Sequence, residues 1–390
     1  MPDTVTSPER VEEIADAIRR AGSVAIDLEF MPEGRYVPDL ALVQVGWGDV
    51  ESPEVSAIDP LAVDVRPIFD LVADPQVETL LHAAQGDLAL LEGTYDVRGQ
   101  NVWDTQIAAA FVGLGSQVGY GPLVDRVLGV RLAKGSQFTE WLDRPLSETQ
   151  IEYALDDVRH LGALWAELRT RLEALGRLDW VQQECDALAE HADGRPPPDE
   201  SYRRISGWRR LNAAAAGSLR AVAAWREHEA RRTNRPTGRI LNDRSLLELA
   251  RVQPSRREQV AAVRGVDGGT ARRHGDALLA AIEEGREQPI AVPSDGPRDS
   301  RVEVWATVLH GVVQGRALEL DIAPRFLATR AELESFVDAY VGDAEAIEGE
   351  PLLNGWRGEL IGASLLDWLR GDSSLIADGG DAAGLAIRPS

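Results

Sequence analysis

Residues 23–30 read SVAIDLEF. Val24, Ile26 and Leu28 alternate with polar positions, the period of a strand with one apolar face, so Asp27 and Glu29 project together from the other. Side chains two residues apart on a strand stand roughly 6.5–7 Å from one another. Two ionised carboxylates at that spacing repel unless a cation lies between them. Taken alone, the pair better fits a polar strand end facing water, since acidic pairs are common.

Two further segments bear on that choice. TLLHAA, residues 79–84, reads as a short buried strand and GDLALLEG, residues 86–93, as the start of a helix, which places Asp87 at the turn between them. An aspartate there serves as a helix cap, as water-mediated support for a cation, or as both. His82 reads as a packed histidine at the strand end. Farther on, Pro145 followed by Ser147, Glu148, Thr149 and Gln150 has the form of a capping box. Ile151, Ala154, Leu155, Val158, Leu161, Trp165 and Leu168 then recur at helical period. Tyr153 and Asp157 are four residues apart and share one side of that helix. Asp157 lies roughly 85° from the centre of the apolar stripe, at the edge of the core, whereas Asp156 is expected to face solvent.

The ordered set Asp27/Glu29, Asp87, Tyr153-x-x-x-Asp157 resembles the exonuclease motifs of the DEDD superfamily, in its tyrosine branch, and the chain is similar to the ribonuclease D family well beyond the acids. RYVPDLALVQVG, VWDTQIAAAF and KGSQFTEWLDRPLSETQIEYALDDV all look like segments of that family. Phe138 departs from the pattern, standing where an arginine is usual. The resemblance implies a ribonuclease H-like α/β domain with a mixed five-stranded sheet and flanking helices. It also implies two divalent metal ions, Mg²⁺ or Mn²⁺, bridged by Asp27, with Glu29 and Asp157 at one site and Asp87 supporting the other. Tyr153 would orient the attacking water. Lys134, the only lysine of the chain, with Gln137 and Trp141, forms a candidate RNA contact; Lys134 fits an incidental surface lysine equally well. Most of the ten tryptophans are expected in the core.

The chain has 390 residues, too many for one ordinary core. A single cysteine, Cys185, excludes an intrachain disulfide. MPDTVTSPER does not read as a secretion signal and no apolar run approaches membrane length, so a soluble cytoplasmic protein without membrane contact is expected. Net charge is −23, an unpromising value for a polyanion binder, but residues 201–288 hold 18 arginines against 10 acids. That local balance of +8, within a remainder of −31, marks where phosphates are expected to be gripped. A mixed solvated helix surface is the bland alternative.

Punctuation divides the chain into an exonuclease domain over residues 1–192, a proline-rich linker over 193–200, a basic helical domain over 201–290, a second linker over 291–300, a further helical domain over 301–375 and a flexible tail over 376–390. The basic segment resembles the HRDC domain, the helicase and ribonuclease D C-terminal module, a helical nucleic-acid binder. Arg272 and Arg273 follow a glycine turn where amides and dipole can meet a phosphate; an ordinary helix-connecting turn reads the same way. RFLATRAELESFVDAY echoes ILNDRSLLELARVQ, so residues 301–371 read as a second, less basic copy that shapes the enzyme and grips little phosphate. The function expected is 3′–5′ exoribonuclease action of a monomer on RNA 3′ ends, with tRNA precursors implied by the resemblance. A DNA 3′–5′ exonuclease and a non-catalytic RNA-binding adaptor are the alternatives.

Overall fold

The structure, a computed structural model, describes residues 4–31, 34–132, 140–190, 192, 195–292, 299–342, 346–377 and 385–389. The chain opens with helix α1 (Pro8–Ala21), whose Ser7 cap and αL Gly22 leave it as strand β1 (Ser23–Met31) begins. Strands β2 (Asp39–Gly48) and β3 (Pro53–Ile58) follow as an antiparallel meander. After helix α2 (Arg66–Val72) come β4 (Glu78–Leu81), α3 (Gln85–Tyr95), β5 (Val102–Asp104), α4 (Thr105–Phe111) and α5 (Tyr120–Leu128). Strand order is β3-β2-β1-β4-β5, with β4 and β5 parallel to β1. This is the mixed ribonuclease H-like sheet that the resemblance implies.

Strand β1 sits at the centre because both faces are covered. Val24, Ile26 and Leu28 pack with α1, α2 and α3, while Ala25 joins a second core with Leu80 and Trp103. Three helices cross that second face: α6 (Glu148–Arg159), α7 (Leu161–Leu175) and α8 (Leu178–Glu190). The capping box at Ser147 and Gln150 forms as its sequence requires. Arg144 holds the approach to α6, bonding the Asp59 carboxylate at 2.6 and 2.8 Å and the Ala41 carbonyl at 2.7 Å.

The proline-rich stretch leads into a 3₁₀ turn at Pro198–Arg204, which already packs into the next unit through buried Ser201 and Tyr202. That unit comprises α9 (Ala213–Thr233), α10 (Thr237–Ile240), α11 (Asp243–Val252), α12 (Arg257–Ala262) and α13 (Gly268–Glu287) around a separate core. Helices α9 and α13 touch backbone to backbone, and a Cβ on Gly217 would fall 2.1 Å from the Gly285 carbonyl oxygen. Only glycine permits that crossing.

The remaining helices are α14 (Ser300–Leu320), α15 (Pro324–Leu327), α16 (Arg330–Gly342), α17 (Gly355–Arg357) and α18 (Ala363–Arg370). They repeat the order of the basic unit: a 21-residue helix with an αL cap, Asn234 in one and Asp321 in the other, then a four-residue helix and a longer one. Unlike the basic unit, this one shares its core with the exonuclease domain among the described residues. Phe326 and Trp356 pack on Phe111 at ring separations of 5.0 and 5.3 Å, Trp356 stacks on Trp180, and Arg177 bridges the Phe111 and Leu320 carbonyls. One apolar core thus runs from the sheet through α4, α7 and α8 into the last helices.

The tail expected to fray from residue 376 instead carries a two-stranded hairpin, β6 (Ser373–Ala377) with β7 (Leu385–Pro389). Leu375 and Ile387 pack it against α14 and α18. Its glycine- and aspartate-rich composition hid two short apolar alternations. Among the described residues no helix is long and apolar enough to cross a membrane.

Candidate active site

The sheet brings Asp27 and Glu29 to one side of β1, and the start of α3 and the end of α6 bring the other acids to meet them. Each of Asp27, Glu29 and Asp157 offers a carboxylate oxygen, and these atoms lie within 4.8 Å of one another. The β1–β2 register slips between Glu29 and Phe30, a bulge at the position where the strand must aim a carboxylate. Helix α6 can come close because Gly46 on β2 has no side chain: a Cβ there would lie 3.1 Å from the Val158 carbonyl oxygen.

Burial raises every acid in the group. Asp27 is pushed up to about 6. Glu29 reaches about 8 through burial and then repulsion from Asp27 and Asp157. Asp157 also reaches about 8, through burial and then Asp27 and Asp156. Asp87 is buried in the first turn of α3 and raised well above the usual carboxylate range by burial and by Asp27, against the pull of its own amide and that of Leu28. Four carboxyls that repel in this way hold their charge only beside a cation. Hard oxygen donors at these separations suit a divalent ion of the Mg²⁺ or Mn²⁺ type. Gln44, directly across the strand pair from Asp27, is buried with neither side-chain polar atom bonded among the described residues, so it too has hydrogen bonds left to give.

Tyr153 stands half-buried beside these acids, its phenol pushed up to about 12 by burial and then by Asp157, Glu29 and Asp27. Trp141, expected along an RNA channel, is 6% exposed and stacks behind Tyr153 at 6.5 Å and 26°. It supports the tyrosine and offers RNA no open face. Asp156, expected in solvent, is partly buried and paired with Arg159. Lys134, Gln137 and Phe138 lie outside the described residues. Arg272 and Arg273 are exposed one turn into α13, but the amides opening that helix already bond the Asp267 carboxylate, at 2.8 Å from Gly269 and 2.9 Å from Thr270. Those amides are therefore engaged, and the Arg273 guanidinium lies back over the same turn, near Gly269 and Asp267.

Two residues at the site escaped the reading of the sequence. Asp104, buried at the end of β5, accepts from the amides of Ala83 and Ala84 at 3.0 and 2.9 Å and of Gln106 and Ile107 at 2.7 and 3.4 Å. It caps α4 and fixes the turn that delivers Asp87; the D-T-Q-I pattern of a helix cap was its signal. Tyr120, at the first position of α5, reaches the cage from the far side, its phenol raised by burial and by Asp157 and Asp27 against the His160 amide. Nothing in its local sequence marks it. His82 is packed as expected, bonded to Thr105 and to the Val118 carbonyl.

A second contact brings the basic unit to this end of the sheet. The segment following Glu29 carries Tyr36, whose hydroxyl bonds Glu227 at 3.0 Å. The Asn234 side chain accepts from the Tyr36 and Val37 amides at 3.1 and 2.8 Å, and Arg195 lies over the Tyr36 ring.

A ribonuclease H-like sheet with these acids and a neighbouring tyrosine defines a 3′–5′ exonuclease domain. A family profile described as 3′–5′ exonuclease matches residues 2–173, and one for the HRDC domain matches residues 215–282. Along almost its whole length the chain is 37% identical over 388 residues to ribonuclease D of Granulibacter bethesdensis, covering 97% of this chain and 95% of that protein. It is 33% identical to ribonuclease D of Zymomonas mobilis, covering 97% of each. It superposes on the crystal structure of Escherichia coli RNase D with a TM-score of 0.83 at 26% identity, covering 95% of this chain and 99% of the other. The catalytic core of RRP6 from Trypanosoma brucei shares the fold at a TM-score of 0.52 and 21% identity, over 74% of this chain and 80% of that one. The chain belongs to the ribonuclease D family.

Proposed function

We infer that this 3′–5′ exoribonuclease releases 5′-mononucleotides from the 3′ ends of tRNA precursors, with two divalent cations, Mg²⁺ or Mn²⁺, held in the carboxylate cage. The convergence of Asp27, Glu29 and Asp157 to within 4.8 Å carries the reading. Asp27, whose charge is felt by Glu29, Asp157 and Asp87 alike, would be the ligand shared by both ions. Bound ions would acidify a water and neutralise the departing 3′ oxygen.

The chain's own groups do the positioning. With its phenol at about 12, Tyr153 stays protonated at neutral pH and orients the water by hydrogen bonding without acting as a base. Trp141 keeps that phenol in place. The water oxygen bonds to the terminal phosphorus, the P–O3′ bond breaks, and the shortened RNA keeps a 3′-hydroxyl. Upstream phosphates would meet the basic unit: Arg231, Arg235 and Arg239 flank Asn234, are exposed, and hold no ion pair among the described residues. The last helical unit, a second HRDC-like copy in this reading, braces the exonuclease domain. The E. coli relative is described as an exoribonuclease involved in structured RNA processing, which supports the substrate class.

The test is incubation with a 3′-extended tRNA and a sequence-matched DNA strand, each with Mg²⁺, Mn²⁺ or chelator. Hydrolysis of RNA alone, dependent on metal and lost in Asp27→Asn, Asp157→Asn and Tyr153→Phe, is expected. Equal cleavage of the DNA strand would support the DNA exonuclease, binding without cleavage under any metal the adaptor, and full activity in the Asp27 or Asp157 variant would remove the cage from the reaction.

A further inference from the structure

Helices α6 and α7 are nearly continuous, parting only at His160, where φ is −106° and ψ is 0°. In an unbroken helix the His160 amide would close on the carbonyl of Asp156, four residues back. Here a side chain from elsewhere occupies that gap. The Tyr120 hydroxyl donates to the Asp156 carbonyl at 3.2 Å, while the His160 amide turns to the Val158 carbonyl, near enough to the phenol to lower its pKa. A polar atom inserted into the i→i−4 ladder is a recognised cause of a helix break, and this one takes up the Asp156 carbonyl that the break sets free.

The insertion falls at one particular residue. Asp157 lies between Asp156, whose carbonyl Tyr120 holds, and Val158, whose carbonyl rests against Gly46. The Asp156–Asp157 peptide unit is therefore held from outside the helix, and one residue past the carboxylate the backbone packs closely against Gly46. Tyr120 is itself anchored. The Val118 carbonyl, two residues before it, accepts from His82 Nε2 at 3.1 Å and Gln106 Nε2 at 3.2 Å, and the His82 ring packs on the tyrosine at 5.5 Å. The Val118 carbonyl requires a proton on His82 Nε2, and burial lowers the pKa of the ring.

We propose that Tyr120 is a positioning residue for the nuclease reaction: its phenol wedges the α6–α7 break and sets the direction in which Asp157 reaches Asp27 and Glu29. It acts through Asp157 and touches neither RNA nor the reacting atoms. The proposal rests on the cage being a metal site, so its test reads ion binding apart from turnover.

Tyr120→Phe removes one oxygen and keeps the ring packing. Calorimetric titration of Mn²⁺ into the RNA-free protein is expected to show affinity weakened by about tenfold, the scale on which groups behind a metal ligand act. With saturating Mn²⁺, kcat on 3′-extended RNA should fall while KM for the RNA holds. Unchanged Mn²⁺ affinity in the folded variant, including the case where only the melting temperature drops, overturns the proposal. If Tyr120→Phe does not fold, Gly46→Ala presses on the Val158 carbonyl from the other side of the same break, and the same titration decides: weakened Mn²⁺ affinity supports a break that aims Asp157, unchanged affinity overturns it. Wild-type protein that binds no Mn²⁺ would instead sink the metal-site reading on which the proposal stands.

Discussion

At the scale of single residues, the acids of the cage make the protein's stability depend on pH in an uncommon direction. Glu29 and Asp157 rise in the folded state from ordinary values of 4.5 and 3.8 to about 8. Between the two limits the folded chain binds more protons than the unfolded one, so stability falls as pH climbs from about 4 to about 8. In chelator, the melting temperature is expected to be higher near pH 5.5, inside that window, than near pH 8.5, just above it. Divalent ions take the place of the protons, so the stabilisation by Mn²⁺ should grow with pH over the same range. A melting temperature in chelator that rises across the window would contradict this ordering of charges. The same residues were the most legible part of the sequence. A period of two put Asp27 beside Glu29, and a spacing of four put Tyr153 beside Asp157, without knowledge of any distant contact. Tyr120 was invisible for the opposite reason: its role depends on a carbonyl 36 residues away.

At the scale of elements, the turns carry as much of the site as the strands and helices do. The β4–α3 turn that presents Asp87 has a residue of positive φ, Ala83 at 58°, and is held by the Asp104 carboxylate. Asp104→Ala would leave four buried or half-buried amides without their acceptor. We expect a loss of about 3 kcal/mol in urea unfolding, together with weakened metal binding as Asp87 drifts; a variant of wild-type stability would show that the turn is held by other means. Arg144→Ala breaks a largely buried pair with Asp59 and should cost about 3 kcal/mol as well. Burial alone would raise Asp59, but its bonds from Arg144 and the Leu61 amide outweigh that and lower it. The pair's contribution is accordingly present above the ordinary carboxylate range and fades as pH falls through the lowered value. Reading the elements themselves from sequence succeeded where a strong period coincided with a cap, as at Ser147. It failed at the C-terminal hairpin, where five-residue strands were too short to stand out from a glycine-rich background.

At the scale of the whole molecule, the two helical units are attached by different physics. The basic unit has its own core and meets the exonuclease domain through Tyr36, Glu227, Asn234 and Arg195. Asn234→Ala should leave hydrolysis of a short oligonucleotide unchanged while weakening binding of 3′-extended tRNA; equal effects on both substrates would argue against an RNA path shared by the two units. Charge reversal at Arg272 and Arg273 should lower RNA affinity and flatten its salt dependence, and an unchanged slope would move the phosphate contacts elsewhere on that unit. A fragment of residues 201–292 is expected to fold alone by circular dichroism, whereas residues 1–192 should aggregate, since Phe111 and Trp180 lose the partners that cover them. The domain order was legible from proline and glycine punctuation. That the final unit would share a core with the first was not, because a helix's apolar stripe does not say which neighbour it will meet.

That shared core has a bearing on how the enzyme is made. A ribosome delivers the amino-terminal sheet early, yet the side chains that seal α4, α7 and α8 arrive only with residues 300–370. A polypeptide abandoned before then carries an uncovered greasy face, the kind of surface that chaperones and proteases recognise. Until those last helices are in place, the sheet domain cannot hide its own interior.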